Sequence, residues 1–252
     1  MPQFDLCRIY PDAPDPLKAG FAEHALSARA LRYCRPVKMA SKIGWLFYPP
    51  MDFAVLLKDD RILWSYGALA EWYILESAQL PGMADLVDSR VPEHQGASPP
   101  FLTALPEERC IQIWLGYSVR SPKNIALQIR GPINHLQKNT YEVIEGVIES
   151  EKWHGPLITV IKLRKENEPI IFRTHTPLIQ CVPVDARLYE ASACQSNAID
   201  AFGSFSESDW AGFFGTLHRA GKGKDVSEKN RQQLSLMKSA TGLNKPREGS
   251  SA

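Results

Sequence analysis

At 252 residues and 44% hydrophobic content the chain is long enough to bury a full-sized core, and β sandwiches of this length are often one domain, so one domain plus appendages is expected. Lysine and arginine number 29 against 28 aspartate and glutamate, so the whole chain carries no field that would draw in nucleic acid or an anionic membrane. Five cysteines without a CxxC pair, and no charged stretch leading into an apolar leader, point to a reduced, cytoplasmic address; no apolar run approaches the roughly 20 residues of a membrane-spanning helix.

In chain order, Phe4 to Tyr10 reads as a first strand closed by Pro11, Pro14 and Pro16. Leu17, Phe21, Ala25, Ala28 and Leu31 recur at helical spacing, which predicts a helix over 17–33 with Gly20 as its weak point. A short helix over 37–42 ends at Gly44. The runs MDFAVLL and RILWSYG flank Lys58-Asp59-Asp60 and predict a β-hairpin. Residues 68–78 fit a strand or a helix. From 79 to 108 the chain is rich in Pro, Gly, Ser and Asp without a sustained period, the signature of a lid, a binding loop or a disordered insertion.

The densest strand character lies between Cys110 and Val184. Alternation places Ile111, Ile113, Leu115 and Tyr117 on the expected core face and Cys110, Gln112, Trp114 and Gly116 on the other. Ile125, Leu127 and Ile129 repeat the device until Gly131-Pro132 stops the ladder, and strands over 157–163, 169–173 and 177–184 continue the series. No helical pattern fits between these runs. The fold class that follows is mainly β with flanking helices (α+β): an antiparallel β sandwich or open barrel with a docked C-terminal helix.

That helix is announced by Ser206 with Asp209 three residues on, by Phe205 and Trp210 at the staple positions, and by the stripe Trp210, Phe213, Phe214 and Leu217. From Lys222 onward seven basic residues face three acids, so a β-rich domain over 1–221 and a polar basic tail over 222–252, partly helical or disordered, are expected.

The words Tyr33-Cys34-Arg35-Pro36, Gly44-Trp45 with Pro49 and Asp52, Arg130-Gly131-Pro132-Ile133-Asn134, Glu145-Gly146-Val147 with Trp153, and Pro177-Leu178-Ile179-Gln180 near Pro183 together resemble a bacterial family catalogued only as a domain of unknown function. The resemblance covers roughly residues 1–190. It implies a shared fold and no activity.

Chemistry must come from constellations. A jelly-roll oxygenase would offer two histidines and a carboxylate to iron, but the usual His-x-Asp or His-x-Glu pair is absent; Glu151, His154 and the distant His175 are the residues that could hold non-haem iron or zinc. No nucleophile elbow or phosphate loop is present, and Cys34 beside Arg35 reads either as an activated thiol or as a structural one. Arg130 and Asn134 bracket a turn at a strand end, where a guanidinium and an amide could bind a polar or anionic small molecule, or simply be a solvated charge and a turn cap. Glu145, Glu149 and Glu151 form either a solvated face or one that meets a cation or the basic side chains of Arg130 and Lys162.

Three functions fit. The first is a small-molecule enzyme or binding protein with a pocket in a β sandwich, capped by 79–108 and edged by Trp45, Trp64 and Trp114. The second is a noncatalytic interaction or assembly protein. Nucleic-acid binding through the basic tail ranks last, because no aromatics interleave its charges.

Overall fold

The structure, a computed structural model, describes residues 4–20, 34–66, 71–135, 140–189 and 195–220. The chain divides into two compact units, Met1–Cys194 and Gln195–Ala252, and each is taken by itself. The tail over 222–252 lies outside the described residues, as does 21–33 of the expected early helix; Leu17 and Lys18, at its start, are in a strand.

The first unit opens with β1 (Asp5–Arg8), β2 (Leu17–Lys18), helix α1 (Arg35–Ser41), β3 (Trp45–Phe47), β4 (Phe53–Lys58) and β5 (Arg61–Tyr66). Pro36 in the first turn of α1 suits a position whose N–H has no intrahelical partner. Lys58 pairs with Arg61 across a two-residue turn in which Asp59 (φ 50°) and Asp60 (φ 56°) are both left-handed, the geometry that matches the twist of a tight hairpin. Then come β6 (Tyr73–Ile74), β7 (Ser77–Ala78), helix α2 (Met83–Arg90) and β8 (Leu102–Leu105). The segment 79–108, expected as a lid, a binding loop or a disordered insertion, carries α2 and β8 and sends Leu80, Met83, Phe101 and Leu102 into the core. These apolar residues follow no period because they enter from a helix, two turns and a strand in succession.

Next are β9 (Cys110–Arg120), β10 (Ile125–Arg130), β11 (Tyr141–Ile144), β12 (Gly146–Ile148), β13 (Pro156–Leu163), β14 (Ile170–Phe172) and β15 (Ile179–Asp185). They complete three open sheets, all of whose strand pairs are antiparallel. The largest runs β11-β13-β9-β8-β7 with β1 also on β9; a second runs β12-β10-β15-β3-β2; a third runs β14-β4-β5-β6. The sheets are open and do not close into a barrel.

Strand β9 departs from its expected single core face. Cys110 and Trp114 are as buried as Ile111 and Ile113, so both faces are covered, and the Trp114 indole N–H donates to the Tyr117 carbonyl at 3.0 Å. Along its edges the strand pairs with β13 and β8. Its pairing with β13 slips between Trp114 and Ser118, a bulge at Gly116 whose carbonyl accepts from both Ile9 N (2.9 Å) and Tyr10 N (3.0 Å). Phe53 stacks on Phe172 of the neighbouring strand at 4.7 Å and meets Phe101 edge-on at 5.1 Å, while Phe47 of the second sheet meets Tyr117 of the first at 5.6 Å.

The second unit contains α3 (Ala201–Ser204) and α4 (Glu207–Ala220). The expected cap is present: Ser206 Oγ accepts from Asp209 N at 3.2 Å and the Asp209 carboxylate accepts from Ser206 N at 2.9 Å. Phe205 and Trp210 form the staple, with ring centroids 5.1 Å apart. Within its stripe, Phe213 and Phe214 are each 49% exposed. No helix among the described residues is long and apolar enough to cross a membrane.

Candidate functional site

Arg130 and Asn134 turn to different partners. The Arg130 guanidinium is turned to Glu145, 3.5 Å away, while the Asn134 amide donates to Ser41 Oγ at 2.7 Å. Asn134 adopts φ 62°, a conformation asparagine tolerates, and this aims its side chain at the end of α1. One residue earlier, Ile133 N donates to the side-chain oxygen of Gln180 at 2.8 Å, and the Gln180 amide donates onward to the Ile43 carbonyl at 2.6 Å. Gln180 is buried, so both ends of its amide are satisfied where an unpaired end would be costly. Beside it, Gly44 (φ 77°) lies so close to β15 that a Cβ would stand 1.9 Å from the Cys181 carbonyl oxygen. Asp52 plays a like part elsewhere: its carboxylate accepts from Thr174 N (2.7 Å) and pairs with Arg173 (3.0 Å), and the Thr174 bond leads in holding its pKa below the usual range. Gly44, Asp52, Asn134 and Gln180 thus serve as joints between elements of the first unit.

The metal set is not assembled either. Among the described residues no group of three or more His, Cys, Asp or Glu side chains is placed to hold a metal ion, so Glu151, His154 and His175 do not form the expected iron or zinc site. The Glu151 carboxylate instead accepts from Asn124 N at 2.7 Å, and His154 contributes its backbone carbonyl to the Ser118 hydroxyl at 3.4 Å. The glutamates are individually engaged: Glu145 near Arg130, and Glu149 with Lys152 at 3.2 Å. Of the expected pocket-edge tryptophans, Trp114 and Trp64 are buried, and half-buried Trp45 lies under the Lys18 ammonium, 4.4 Å from the ring centroid.

A different tryptophan borders a cavity. After β12 the chain turns tightly, Lys152 N and Trp153 N both donating to the Glu149 carbonyl (2.8 and 2.9 Å). The turn is pinned from outside: Ser121 N donates to the Ser150 carbonyl at 3.2 Å, the Ser121 and Ser150 hydroxyls hydrogen-bond, and Glu151 holds Asn124. So anchored, it presents Trp153 with 52% of its surface exposed and the indole against Gly155, where a Cβ would come within 2.5 Å of the ring. Beneath lies a cleft of about 470 Å³ lined by Val147, Ile148, Glu149, Lys152, Trp153, Pro156 and Ile158. No family model matches the chain, and no curated protein is significantly similar to it.

A second cavity of about 220 Å³ shares Glu149 and Lys152 with the first and adds Asn124, Ile125, Ala126, Glu151, Ala186 and Arg187. The two together give an apolar floor, an aromatic wall and a polar annex, with the Glu149–Lys152 pair between. At the annex the Arg187 guanidinium forks onto Asp185 (2.9 and 2.5 Å) and lowers its carboxyl pKa to about 2. Two thiols elsewhere, Cys110 and Cys181, are pushed up by burial, the direction of inert sulfur. Trp153 escapes sequence reasoning because a lone aromatic in a polar run, Glu149 to Gly155, belongs to no periodic stripe. The signal available was the mismatch itself, a large ring with no apolar neighbours in sequence.

Proposed function

We propose that this chain binds a small molecule with a ring-bearing, largely apolar body in the cleft beside Trp153. One observation carries the reading: a half-exposed indole, fixed by a turn that is itself anchored at two serines and a glutamate, borders an apolar cleft of about 470 Å³. That volume falls within the range of roughly 300–1,000 Å³ typical of ligand pockets, and a few polar groups at the rim of an apolar floor are what orient such a ligand. A planar ring stacking on Trp153 would bury the exposed indole face, and a polar substituent would reach the Glu149–Lys152 pair.

The same reading places the protein in a reduced, cytoplasmic compartment, supported by the free state of Cys7, Cys34, Cys110 and Cys181. It also groups the chain with the bacterial family that its Gly, Pro and Asn words resemble, on those words alone.

The experiment is ligand-detected NMR on the full chain with a panel of aromatic carboxylates, aromatic amines and cyclic sugars. Some members should bind to the parent and lose binding in Trp153→Ala, whose unfolding midpoint stays close to that of the parent. If no ring-bearing probe binds, or binding survives in Trp153→Ala, the reading fails.

A further inference from the structure

We infer that the ligand of the Trp153 cleft carries a protonated amine, which docks at Glu151 in the smaller cavity while the ring rests on the indole. The inference rests on the proposed function and narrows it to one ligand class. It begins with the charged residues lining the smaller cavity: Glu149, Glu151, Lys152 and Arg187. Three of the four have an opposite charge beside them. Lys152 lies 3.2 Å from Glu149, and the Arg187 guanidinium forks onto Asp185 at the end of β15. Glu151 differs, for among the described residues it has no salt-bridge partner, and its carboxylate accepts only from a backbone N–H. With Asp185 included, three carboxylates (Glu149, Glu151, Asp185) stand against two cations (Lys152, Arg187), so these described groups carry one net negative charge.

Glu151 is also held in place. One of its oxygens accepts from Asn124 N at 2.7 Å, and Asn124 is fixed in turn, at φ 61° with its carbonyl accepting from Ala186 N at 2.9 Å. That bond takes one of about four acceptor sites on an ionised carboxylate, leaving the second oxygen for a ligand donor. An ammonium brings several donors on a single positive charge. A divalent metal ion asks for more oxygens, and among the described residues no three His, Cys, Asp or Glu side chains are placed to supply them. A carboxylate ligand would have to draw Lys152 or Arg187 from its acid and then sit beside Glu151.

The ring and the amine can belong to one molecule. Glu149 and Lys152 line both cavities, so the space from the indole to Glu151 is shared. Glu151 and Trp153 stand two residues apart in one turn, at most about 7 Å between their Cα atoms, which suits a short aliphatic spacer. The indole accepts the same charge, because the face of a tryptophan ring attracts cations.

Calorimetric titration of the full chain at neutral pH with three probes sharing one ring tests the inference: naphthylethylamine, its uncharged N-acetyl derivative, and naphthylpropionate. The amine should bind at least about tenfold more tightly than either of the others, as a charge-assisted hydrogen bond would give. Glu151→Gln keeps an oxygen for Asn124 N and removes the charge. In this variant the amine should fall to the affinity of the N-acetyl derivative, whose own binding stays as in the parent. Three probes that bind the parent equally, each losing binding in Trp153→Ala, would overturn the inference and leave the ring-binding cleft standing. A carboxylate that binds as tightly as the amine overturns it too, as does an amine preference that survives in Glu151→Gln. If none of the three binds, the inference falls together with the cleft reading. The comparison within the parent decides the matter even where Glu151→Gln fails to fold.

Discussion

Replacing Gly44 with alanine should be among the most damaging single-methyl changes available in this protein. Two terms contribute. At φ 77° an alanine pays the left-handed penalty, about 1–2 kcal/mol. The new Cβ would then lie 1.9 Å from the Cys181 carbonyl oxygen, against a practical minimum near 3.0 Å, and the obstacle is backbone. Relief requires β3 and β15 to part by about 1 Å where Trp45 pairs with Cys181, which weakens two or three hydrogen bonds of about 1 kcal/mol each. The sum is about 4 kcal/mol, a large share of the stability of an ordinary domain. Gly96→Ala supplies the control: its φ is 78°, but nothing lies within 4 Å of the added methyl, so only the first term applies. Urea unfolding followed by tryptophan fluorescence should show a loss of about 1–2 kcal/mol for Gly96→Ala and at least twice that for Gly44→Ala. Equal losses would refute the argument from close approach and leave backbone conformation as the whole effect.

Thr159 is buried, and its hydroxyl finds no hydrogen-bond partner among the described residues, so Thr159→Val should stabilise by about 1 kcal/mol; an unchanged or lower urea midpoint would show that the hydroxyl is satisfied after all. Brief alkylation of the native protein, read by peptide mass spectrometry, should modify Cys7 and Cys34 and spare Cys110 and Cys181, the last held well above the usual thiol range by burial; early labelling of Cys181 would contradict its packing. The Asp185 carboxyl should titrate near 2 by NMR, and in Arg187→Ala it should return toward the ordinary 3.8. Because the folded value lies below the unfolded one, the stabilisation from this group is complete above the ordinary pKa and is lost as pH falls from about 3.8 to about 2. A midpoint near 4 in the parent would dismiss the fork geometry.

Much of the fold was legible where one local rule acts alone. Lys58-Asp59-Asp60-Arg61 declares its hairpin because aspartate tolerates the left-handed turn, and Ser206 with Asp209 declares a helix start. The rule fails where two surfaces act on one strand. In β9 the run Cys110, Gln112, Trp114, Gly116 resembles a polar side, yet Trp114 buries its ring and satisfies its N–H within the strand. Leu80, Met83 and Phe101 were hidden for a different reason, since a core filled from several short elements leaves no period to find. The site was less legible still. Arg130 and Asn134 attract notice as polar groups at a turn, but whether an amide at φ 62° binds a ligand or a neighbouring helix depends on Ser41, 93 residues earlier. Trp153 lacks any local pattern, and its exposure follows from serine and glutamate contacts made across the chain.

The Gln180 amide has a consequence for how the protein is made. Its two partners, Ile43 and Ile133, precede it by 137 and 47 residues, and its strand lies between β3 and β10 in the middle of its sheet. A growing chain that has not yet emerged past Ile179 therefore holds two separate ribbons, β2 with β3 and β10 with β12, with nothing to join them. The hairpin of β4 and β5 can close as soon as it leaves the ribosome, because its contacts are local. The second sheet must wait for nearly the whole of the first unit. During synthesis the unpaired backbone edges of β3 and β10 stay open, and aggregation competes with folding until one late strand bridges them.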